Sequence, residues 1–135
     1  MEFLDANIFL RYLTRDDPAK AERCYELFQR MKRKEIRVIT SESVLAEVVY
    51  VLSSRSLYNQ GREQVRALLL PIISLPGLRI ANRRTFLRAL DLFAGANLDF
   101  EDTLSLAHME RMQIKAIISY DRDFDRFQNI ERREP

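Results

Sequence analysis

Acidic residues follow two segments of the chain that resemble short β-strands. Asp5 comes directly after Phe3-Leu4, and Asp121 follows an apolar run that includes Ile117-Ile118. In open α/β sheets ligands bind beyond the carboxyl ends of the strands, so these carboxylates are expected to converge. Asp102 opens a predicted helix whose first turn could face the same crevice. Carboxylates gathered in this way predict a site for a hard cation.

Glu47 is the acid that helix capping explains least well. The residues at i−3, i+1 and i+4 from it are all valines: Val44, Val48 and Val51. This spacing predicts that Glu47 lies on the apolar face of its helix. A buried carboxylate must be neutral, paired or bound to a cation, and no Lys or Arg shares the stripe. The sequence therefore favours a bound cation at Glu47.

Helix and turn capping is the competing interpretation of the other acids. Asp5 precedes a helical segment and could be its N-cap. Asp99 followed by Asp102 resembles a capping box in which Asp replaces the usual Glu. Asp121, with Asp123 two residues later, could form an Asx turn. For each of these acids, capping and cation binding are equally good interpretations of the sequence alone.

Mg²⁺ or Mn²⁺ is the cation that suits such a cluster. Neighbouring carboxylates raise one another's pKa, and a divalent cation with oxygen ligands removes that repulsion. The alternating acids of an EF-hand calcium loop are absent from the sequence. A bound Mg²⁺ or Mn²⁺ can activate water and stabilise charge on a phosphodiester. The arginines that could hold neighbouring phosphates, each of which could equally be a solvated surface charge, are Arg11, Arg15, Arg83, Arg84 and Arg122.

Composition limits the class of protein. The chain has 135 residues, enough for one domain (1–135) with a real core. Its 22 basic and 20 acidic residues argue against a purely electrostatic nucleic-acid binder, although they permit a basic rim around an acidic pocket. The single Cys24 excludes an intramolecular disulfide and a cysteine-based zinc site. The sequence has neither a membrane span nor a signal peptide, which predicts a cytoplasmic location.

Short strands and longer helices alternate along the chain and would position these acids. Apolar or β-branched segments predict strands at about 3–4, 36–40, 78–80 and 114–119. Helical patterns cover about 6–14, 18–34, 41–54, 61–70, 83–93 and 99–113. The fourth is expected to end near Pro71 or, at the latest, at Pro76-Gly77. This alternation predicts an α/β domain with a mostly parallel sheet.

Four blocks of the sequence together resemble a PIN-domain ribonuclease and, within that group, a VapC-type toxin of a toxin–antitoxin pair. The blocks are LDANIFLRYL (4–13), SVLAEVVYVL (43–52), LDFEDTL (98–104) and ISYDRDF (118–124). Any one block would be a weak motif, whereas four in this order are specific. The resemblance covers essentially the whole chain.

The resemblance implies a fold and a set of site residues. The fold is a three-layer α/β/α sandwich around a short, mostly parallel central sheet. The catalytic and metal-binding acids it implies are Asp5, Glu47, Asp102 and Asp121, with Asp123 as a further metal ligand. Asn7 and Ser119 match positions that support the first and last acids by hydrogen bonding, and Asp99 matches a capping or supporting position. Substrate binding is expected from Arg11, Arg83, Arg84 and Arg122.

The resemblance also implies partners: an RNA substrate, a small antitoxin and a second copy of the chain in a homodimer. Three functions stay open at this stage. The chain is a toxin ribonuclease, a PIN nuclease for RNA maturation or decay or for DNA flaps, or a non-catalytic module whose acids cap helices or bind a basic tail. His108, the only histidine, is expected to be a surface residue of its helix rather than a general base.

Overall fold

Helices dominate the structure, and the strands between them are short. The computed structural model describes all residues, 1–135. The strands are β1 (Glu2–Phe3), β2 (Val38–Thr40), β3 (Leu78–Ile80), β4 (Ala116–Ile118) and β5 (Glu131–Arg133). The helices are α1 (Ala6–Thr14), α2 (Pro18–Lys32), α3 (Glu42–Ser53), α4 (Arg62–Ile73), α5 (Arg83–Gly95) and α6 (Phe100–Met112), and a 3₁₀ helix spans Arg122–Arg126.

The strands form two parallel sheets. The first has the order β1-β2-β3, with Phe3 opposite Ile39 and Ile39 opposite Arg79. The second pairs β4 with β5, Ile117 lying opposite Arg132. The predicted α/β class with parallel strands is confirmed. The difference from the prediction is that the parallel strands are divided between two sheets, so the carboxyl ends of β1 and β4 do not share one edge.

A main core of 24 buried residues joins the first sheet to the helices. Its largest fully buried side chains include Phe9, Met31 and Phe86. Burial of each such side chain stabilises the fold by about 1.5–3 kcal/mol. A second cluster holds the second sheet against α6 and consists of Leu98, Leu106, Met109 and Phe124.

Local signals in the sequence explain where several helices begin. Asp17 caps α2 by accepting a hydrogen bond from the Lys20 N–H at 3.1 Å, and Pro18 follows at the first helical position. Ser41 caps α3 by accepting from the Val44 N–H at 3.2 Å. Asp and Ser are among the residue types preferred at N-caps, which is why these two helices begin close to their expected positions.

Pro71 lies inside α4, which ends at Ile73, between the two ends that the sequence allows, Pro71 and Pro76-Gly77. It occupies the last turn, so its missing N–H removes only one helical hydrogen bond. The helix continues because Ile72 and Ile73 are buried in the core. Tertiary packing therefore outweighs the local preference of proline to end the helix.

The second sheet departs from expectation in burial. The apolar segment of β4 was the clearest strand signal, yet Ile118 is 74% exposed. Strand β5, which consists only of charged residues, was not predicted because nothing in its side chains marks it as a strand. Apolarity thus identified β4 as a strand, although Ile118 is not buried in it.

Gly77 is the one glycine of the chain that is closely surrounded by backbone atoms. A Cβ at this position would lie 2.6 Å from the Ile36 carbonyl oxygen and 2.7 Å from that of Met31. The Gly77 N–H donates to the Met31 carbonyl at 3.1 Å, and its own carbonyl accepts from Val38 N–H at 2.8 Å. The loop before β3 is therefore fixed against the end of α2.

Gly77→Ala should lower the free energy of unfolding by about 1–3 kcal/mol, because the added methyl group meets backbone atoms that cannot rotate away. Urea denaturation followed by circular dichroism would measure the change. Gly95→Ala is the matched control, since a Cβ there has nothing within 4 Å. That control lies at the end of α5 and should be neutral or slightly stabilising. Equal stabilities for the two variants would contradict the tight contact.

Candidate active site

Asp102 is the acid with the most unusual surroundings. It lies half-buried in the first turn of α6. The pKa of Asp102 is raised from its ordinary value of 3.8, first by burial and then by the negative charges of Asp121, Asp99, Glu101 and Asp123. No cationic side chain offsets these charges. A carboxyl group in such surroundings is stabilised by a proton or a cation, which makes it the strongest candidate for chemistry.

Asp121 combines a structural role with a place in the same acidic field. It follows β4, and its Oδ1 accepts a hydrogen bond from the Asp123 N–H at 2.9 Å, capping the 3₁₀ helix. Ser119 Oγ accepts from the Asp121 N–H at 3.0 Å, so Ser119 holds the backbone of the acid in place. Asp123 forms an ion pair with Arg126 at 3.0 Å. Asp121 therefore forms the predicted turn and also interacts by its charge with Asp102.

Capping does not account for Asp5, Asp99 or Asp102. Asp5 and Asp99 stand at the N-cap positions of α1 and α6, but neither side chain forms a capping hydrogen bond. The capping box predicted between Asp99 and Asp102 is thus not formed. Asn7, expected to support Asp5, is exposed in the first turn of α1.

The predicted burial of Glu47 is wrong. The buried residues of α3 are Leu45, Ala46, Val48, Val49 and Leu52, whereas Glu47 is exposed. It points roughly 160° away from the centre of that buried face, given about 100° per residue in a helix. Val44 and Val51 are only half-buried and lie at its margins. The valines around Glu47 therefore do not bury it, and its burial gives no evidence for a cation.

The predicted metal ligands do not converge on one point. No three Asp, Glu, His or Cys side chains lie close enough together to hold a metal ion. Asp5 and Glu47 are not among the charges that raise the pKa of Asp102, whereas Asp121 and Asp123 are. Asp5 and Asp121 follow strands of different sheets, so no shared sheet edge brings these two acids together. The oxygen donors suit Mg²⁺ chemically, but their positions do not form a ready-made site.

The arginines predicted to bind substrate differ in their surroundings. Arg83 donates from its Nη2 to the Leu78 carbonyl, and its Nε is buried with no acceptor. Arg11 is half-buried in α1, whereas Arg84 and Arg122 are exposed. None of these four forms an ion pair with an acid. All four are therefore free of competing acidic partners.

His108 is more enclosed than the sequence indicated. It is half-buried rather than at the surface of α6, and its Nε2 lies 3.0 Å from Glu42 Oε1 on α3. Arg111 approaches the other ring nitrogen, with its Nε 3.4 Å from Nδ1. His108 thus links α6 to the first turn of α3. The pairing joins residues far apart in the chain, so no local pattern could have predicted it.

Arg62 fixes the loop that leads into the acidic first turn of α6. Its Nη1 donates to the carbonyls of Phe93, Ala96 and Leu98 at 3.2, 2.9 and 2.5 Å. The guanidinium also lies 4.4 Å from the centre of the Phe93 ring. Burial lowers the pKa of Arg62, with the charge of Asp99 acting in the opposite direction. Sequence reasoning missed this residue because its partners are backbone atoms.

Arg62→Met should destabilise the fold by about 2–3 kcal/mol, because three carbonyl groups lose a charged donor. Amide exchange should quicken at residues 96–99, the loop that the guanidinium holds. Hydrogen–deuterium exchange with mass spectrometry would measure both effects. Arg23→Met, at an exposed position without an ion pair, is the control. Unchanged exchange at residues 96–99 would show that Arg62 does not hold the loop.

A cleft of about 560 Å³ lies between the end of α3 and the start of α6. Asp99 and Glu101 form part of its wall. Tyr50, which is 65% exposed, lies at the same cleft. Its remaining polar lining includes the amides of Asn59, Gln60 and Asn97. An aromatic ring with several amides can contact an unstacked base by stacking and by hydrogen bonds.

Comparison with known proteins identifies the family. Residues 3–130 match the family model of the PIN domain. The chain belongs to the PIN domain family. The resemblance inferred from the four sequence blocks is thereby confirmed at the level of the family.

Individual relatives of this PIN domain carry VapC names. A VapC ribonuclease of Aquifex aeolicus is 24% identical over 124 residues, which are 92% of this chain and 90% of the relative. The crystal structure of VapC20 of Mycobacterium tuberculosis, described as a sarcin–ricin loop cleaving toxin, matches at 20% identity with a TM-score of 0.40. That match covers 93% of this chain and 94% of the other. None of the helices of this PIN domain is long and apolar enough to cross a membrane.

Proposed function

We propose that this PIN domain is an endoribonuclease that hydrolyses RNA phosphodiester bonds and acts as the toxin of a toxin–antitoxin pair in the cytoplasm. The observation that carries the proposal is Asp102, a half-buried carboxyl group whose pKa is raised by burial and by the neighbouring acids. Membership of the PIN family and the similarity to a VapC ribonuclease support the reaction class.

The proposed catalytic acids are Asp5, Glu47, Asp102 and Asp121, with Asp123 as an additional ligand and Ser119 and Asn7 as supporting residues. Asp102 and Asp121 have structural support, because their charges interact. The roles of Asp5 and Glu47 rest on the sequence blocks. The same blocks lead us to propose Mg²⁺ or Mn²⁺ as the cofactor. Since the ligands do not converge, no chemical step is assigned to the metal ion.

The chemistry open to Asp102 follows from its raised pKa. A carboxyl group that holds its proton more tightly than an ordinary aspartate is a better acceptor for a proton released by an attacking water. The surrounding carboxylates also repel a phosphodiester. Contacts to phosphate groups must therefore come from cationic side chains, such as Arg11, Arg84 and Arg122.

RNA, rather than a DNA flap, is the proposed substrate. The cleft beside Asp99 and Glu101 offers Tyr50 and several amides to an unstacked base, as single-stranded RNA requires. Purified protein should cut a single-stranded RNA oligonucleotide at least about 10-fold faster than a DNA flap of the same sequence. Equal or faster cleavage of the flap would support the DNA alternative. No cleavage of either substrate with Mg²⁺ or Mn²⁺ would support the non-catalytic module.

The toxin role has its own test in cells. Induced expression of the chain should arrest growth, and expression of Asp102→Asn at the same level should not. Co-expression of a small protein encoded beside the gene should restore growth if that protein is the antitoxin. An active nuclease that leaves growth unchanged would favour RNA maturation or decay. We also propose a homodimer, which analytical ultracentrifugation would distinguish from a monomer of 16.0 kDa.

A further inference from the structure

A cavity of about 610 Å³ lies beside β3, the edge strand of the first sheet. Four cationic side chains line it, and we call it the basic pocket: Lys34, Arg37, Arg79 and Arg83. No acidic residue lines this cavity, and none of the proposed catalytic acids reaches it. The basic pocket is therefore separate from the site around Asp102.

The cations of the basic pocket have no acidic partners. Eight arginines elsewhere in the chain form ion pairs, whereas none of the four pocket cations does. The four are unpaired although the chain has nearly equal numbers of acidic and basic residues. Like charges around one cavity repel each other, and a bound anion would relieve that repulsion.

Arg83 provides a second, independent observation. Its Nε is the one buried side-chain nitrogen or oxygen atom in the structure that has no hydrogen-bond partner. Its Nη2 donates to the Leu78 carbonyl, which holds the guanidinium against β3. An N–H group buried without an acceptor is costly, and an acceptor from a bound ion or water would remove that cost. Because this Nε is closed to solvent, an anion in the basic pocket would reach it only after a shift of the Arg83 side chain.

The backbone around the basic pocket is closely packed. Gly77 lies in its wall and is fixed against the Met31 carbonyl, as described above. Lys34 and Arg37 lie on either side of Ile36 in the turn that this contact holds. The cations are therefore carried by a turn and an edge strand that are joined directly to each other. This arrangement keeps the positive groups together in the absence of a ligand.

Simpler explanations account for single residues of the basic pocket but not for the set. A charged residue in an edge strand discourages pairing with other chains, which would explain Arg79. A lysine just beyond a helix C-terminus interacts favourably with the helix dipole, which would explain Lys34. Neither explanation requires that the charges share one cavity without an acid, or that Arg83 keep a buried, unpaired Nε.

We propose that the basic pocket binds backbone phosphate groups of single-stranded RNA at a distance from the catalytic acids. The RNA assignment rests on the proposed function, while the anion-binding character rests on the pocket itself. Guanidinium groups match phosphate oxygens with paired hydrogen bonds. Buried Leu78 and Ile80 add apolar wall beside the charges, which suits a nucleotide better than an acidic peptide. The basic pocket supplies the attraction that the acidic site lacks.

The test is binding of a fluorescent single-stranded RNA to the full chain in EDTA, followed by anisotropy over a range of KCl concentrations. The pocket variant is Arg37→Gln with Arg79→Gln, which changes two exposed side chains. At about 100 mM salt its Kd should rise roughly 10–30-fold, and the slope of log Kd against log salt should fall by about 1.4. The matched control, Lys20→Gln with Arg23→Gln, removes the same charge from exposed positions of α2 and should change Kd less than about 2-fold.

Equal changes in the two double variants, or no change in either, would overturn the proposal. A poly-glutamate peptide that binds through Arg37 and Arg79, with RNA affinity unaffected, would assign the basic pocket to an acidic partner and also overturn it. Cleavage is assayed separately with Mn²⁺. Wild-type protein that binds RNA through the basic pocket but never cleaves it would refute the proposed function and leave the binding site in place.

Discussion

Asp102→Asn is expected to lower the rate of RNA cleavage by about 100-fold or more while making the metal-free fold slightly more stable. The loss of rate corresponds to about 2.7 kcal/mol of transition-state stabilisation. The gain in stability arises because Asn removes a half-buried negative charge from the field of Asp121, Asp99, Glu101 and Asp123. For a partly exposed group this gain should be a few tenths to about 1 kcal/mol. A substitution that lowers the cleavage rate but raises the stability identifies a functional acid, whereas replacement of a structural acid would lower both.

The difference in unfolding free energy between Asp102→Asn and the wild type should increase as pH rises. Because the folded-state pKa of Asp102 is raised above its ordinary value of 3.8, the folded chain binds more protons than the unfolded chain between those two values. Stability is therefore lost as pH rises through this window, and the loss is complete above the raised pKa. The advantage of Asp102→Asn should be full at pH 7 and should vanish below pH 3.8.

Thermal denaturation in EDTA at several pH values would measure this effect, and single-turnover cleavage would measure the rate. Glu26→Gln is a suitable control, because Glu26 is an exposed acid of α2 without an ion pair. It should leave both the rate and the melting temperature nearly unchanged. A melting temperature that falls in Asp102→Asn would mean that the carboxylate stabilises the fold, contrary to the pKa direction.

Replacement of Asp121 separates its two roles. Asn at this position keeps a side-chain oxygen that can accept from the Asp123 N–H, whereas Ala removes it. Both variants should lose cleavage by about 30-fold or more, since each removes the charge beside Asp102. Only Asp121→Ala should lose about 1 kcal/mol of stability, the usual effect of a lost cap.

The turn-only interpretation of Asp121 makes a different prediction for the same pair. If Asp121 served only as a cap, Asp121→Asn would cleave RNA at nearly the wild-type rate, and Asp121→Ala would lose activity only as far as it unfolds. Urea denaturation and initial cleavage rates on the same preparations would decide between these outcomes. Asp125→Asn, which changes another exposed acid of the 3₁₀ helix, controls for general changes in that segment.

Local chemistry explains the parts of the fold that the sequence predicted well. Helix α1 and strand β3 have the predicted bounds, and the caps at Asp17 and Ser41 use side chains that lie within three residues of their partners. The stripe of α2 is buried at Ala21, Cys24, Phe28 and Met31. Tyr25, which has the same helical spacing from Ala21 and Phe28, is instead 39% exposed and stacks near Tyr12 at 6.4 Å. Periodicity therefore located the stripe but not its edges.

Contacts between distant segments explain what the sequence could not show. The division into two sheets depends on how the chain beyond α6 docks, and it places β1 and β4 in different sheets. The position of Glu47 depends on which side of α3 meets the core, which its neighbouring valines did not determine. Arg62 and the His108–Glu42 contact join segments 31 or more residues apart. Such contacts leave no periodic trace in a single sequence.

The most direct test of an RNA hydrolase centred on Asp102 is one cleavage measurement. An end-labelled single-stranded RNA is incubated with wild-type protein in Mn²⁺, with wild-type protein in EDTA, and with Asp102→Asn in Mn²⁺, at equal protein concentrations. Specific cleavage products should form only in the first reaction, at a rate at least about 100-fold above the other two. Equal cleavage by wild type and Asp102→Asn, or cleavage that persists in EDTA, would contradict the assignment.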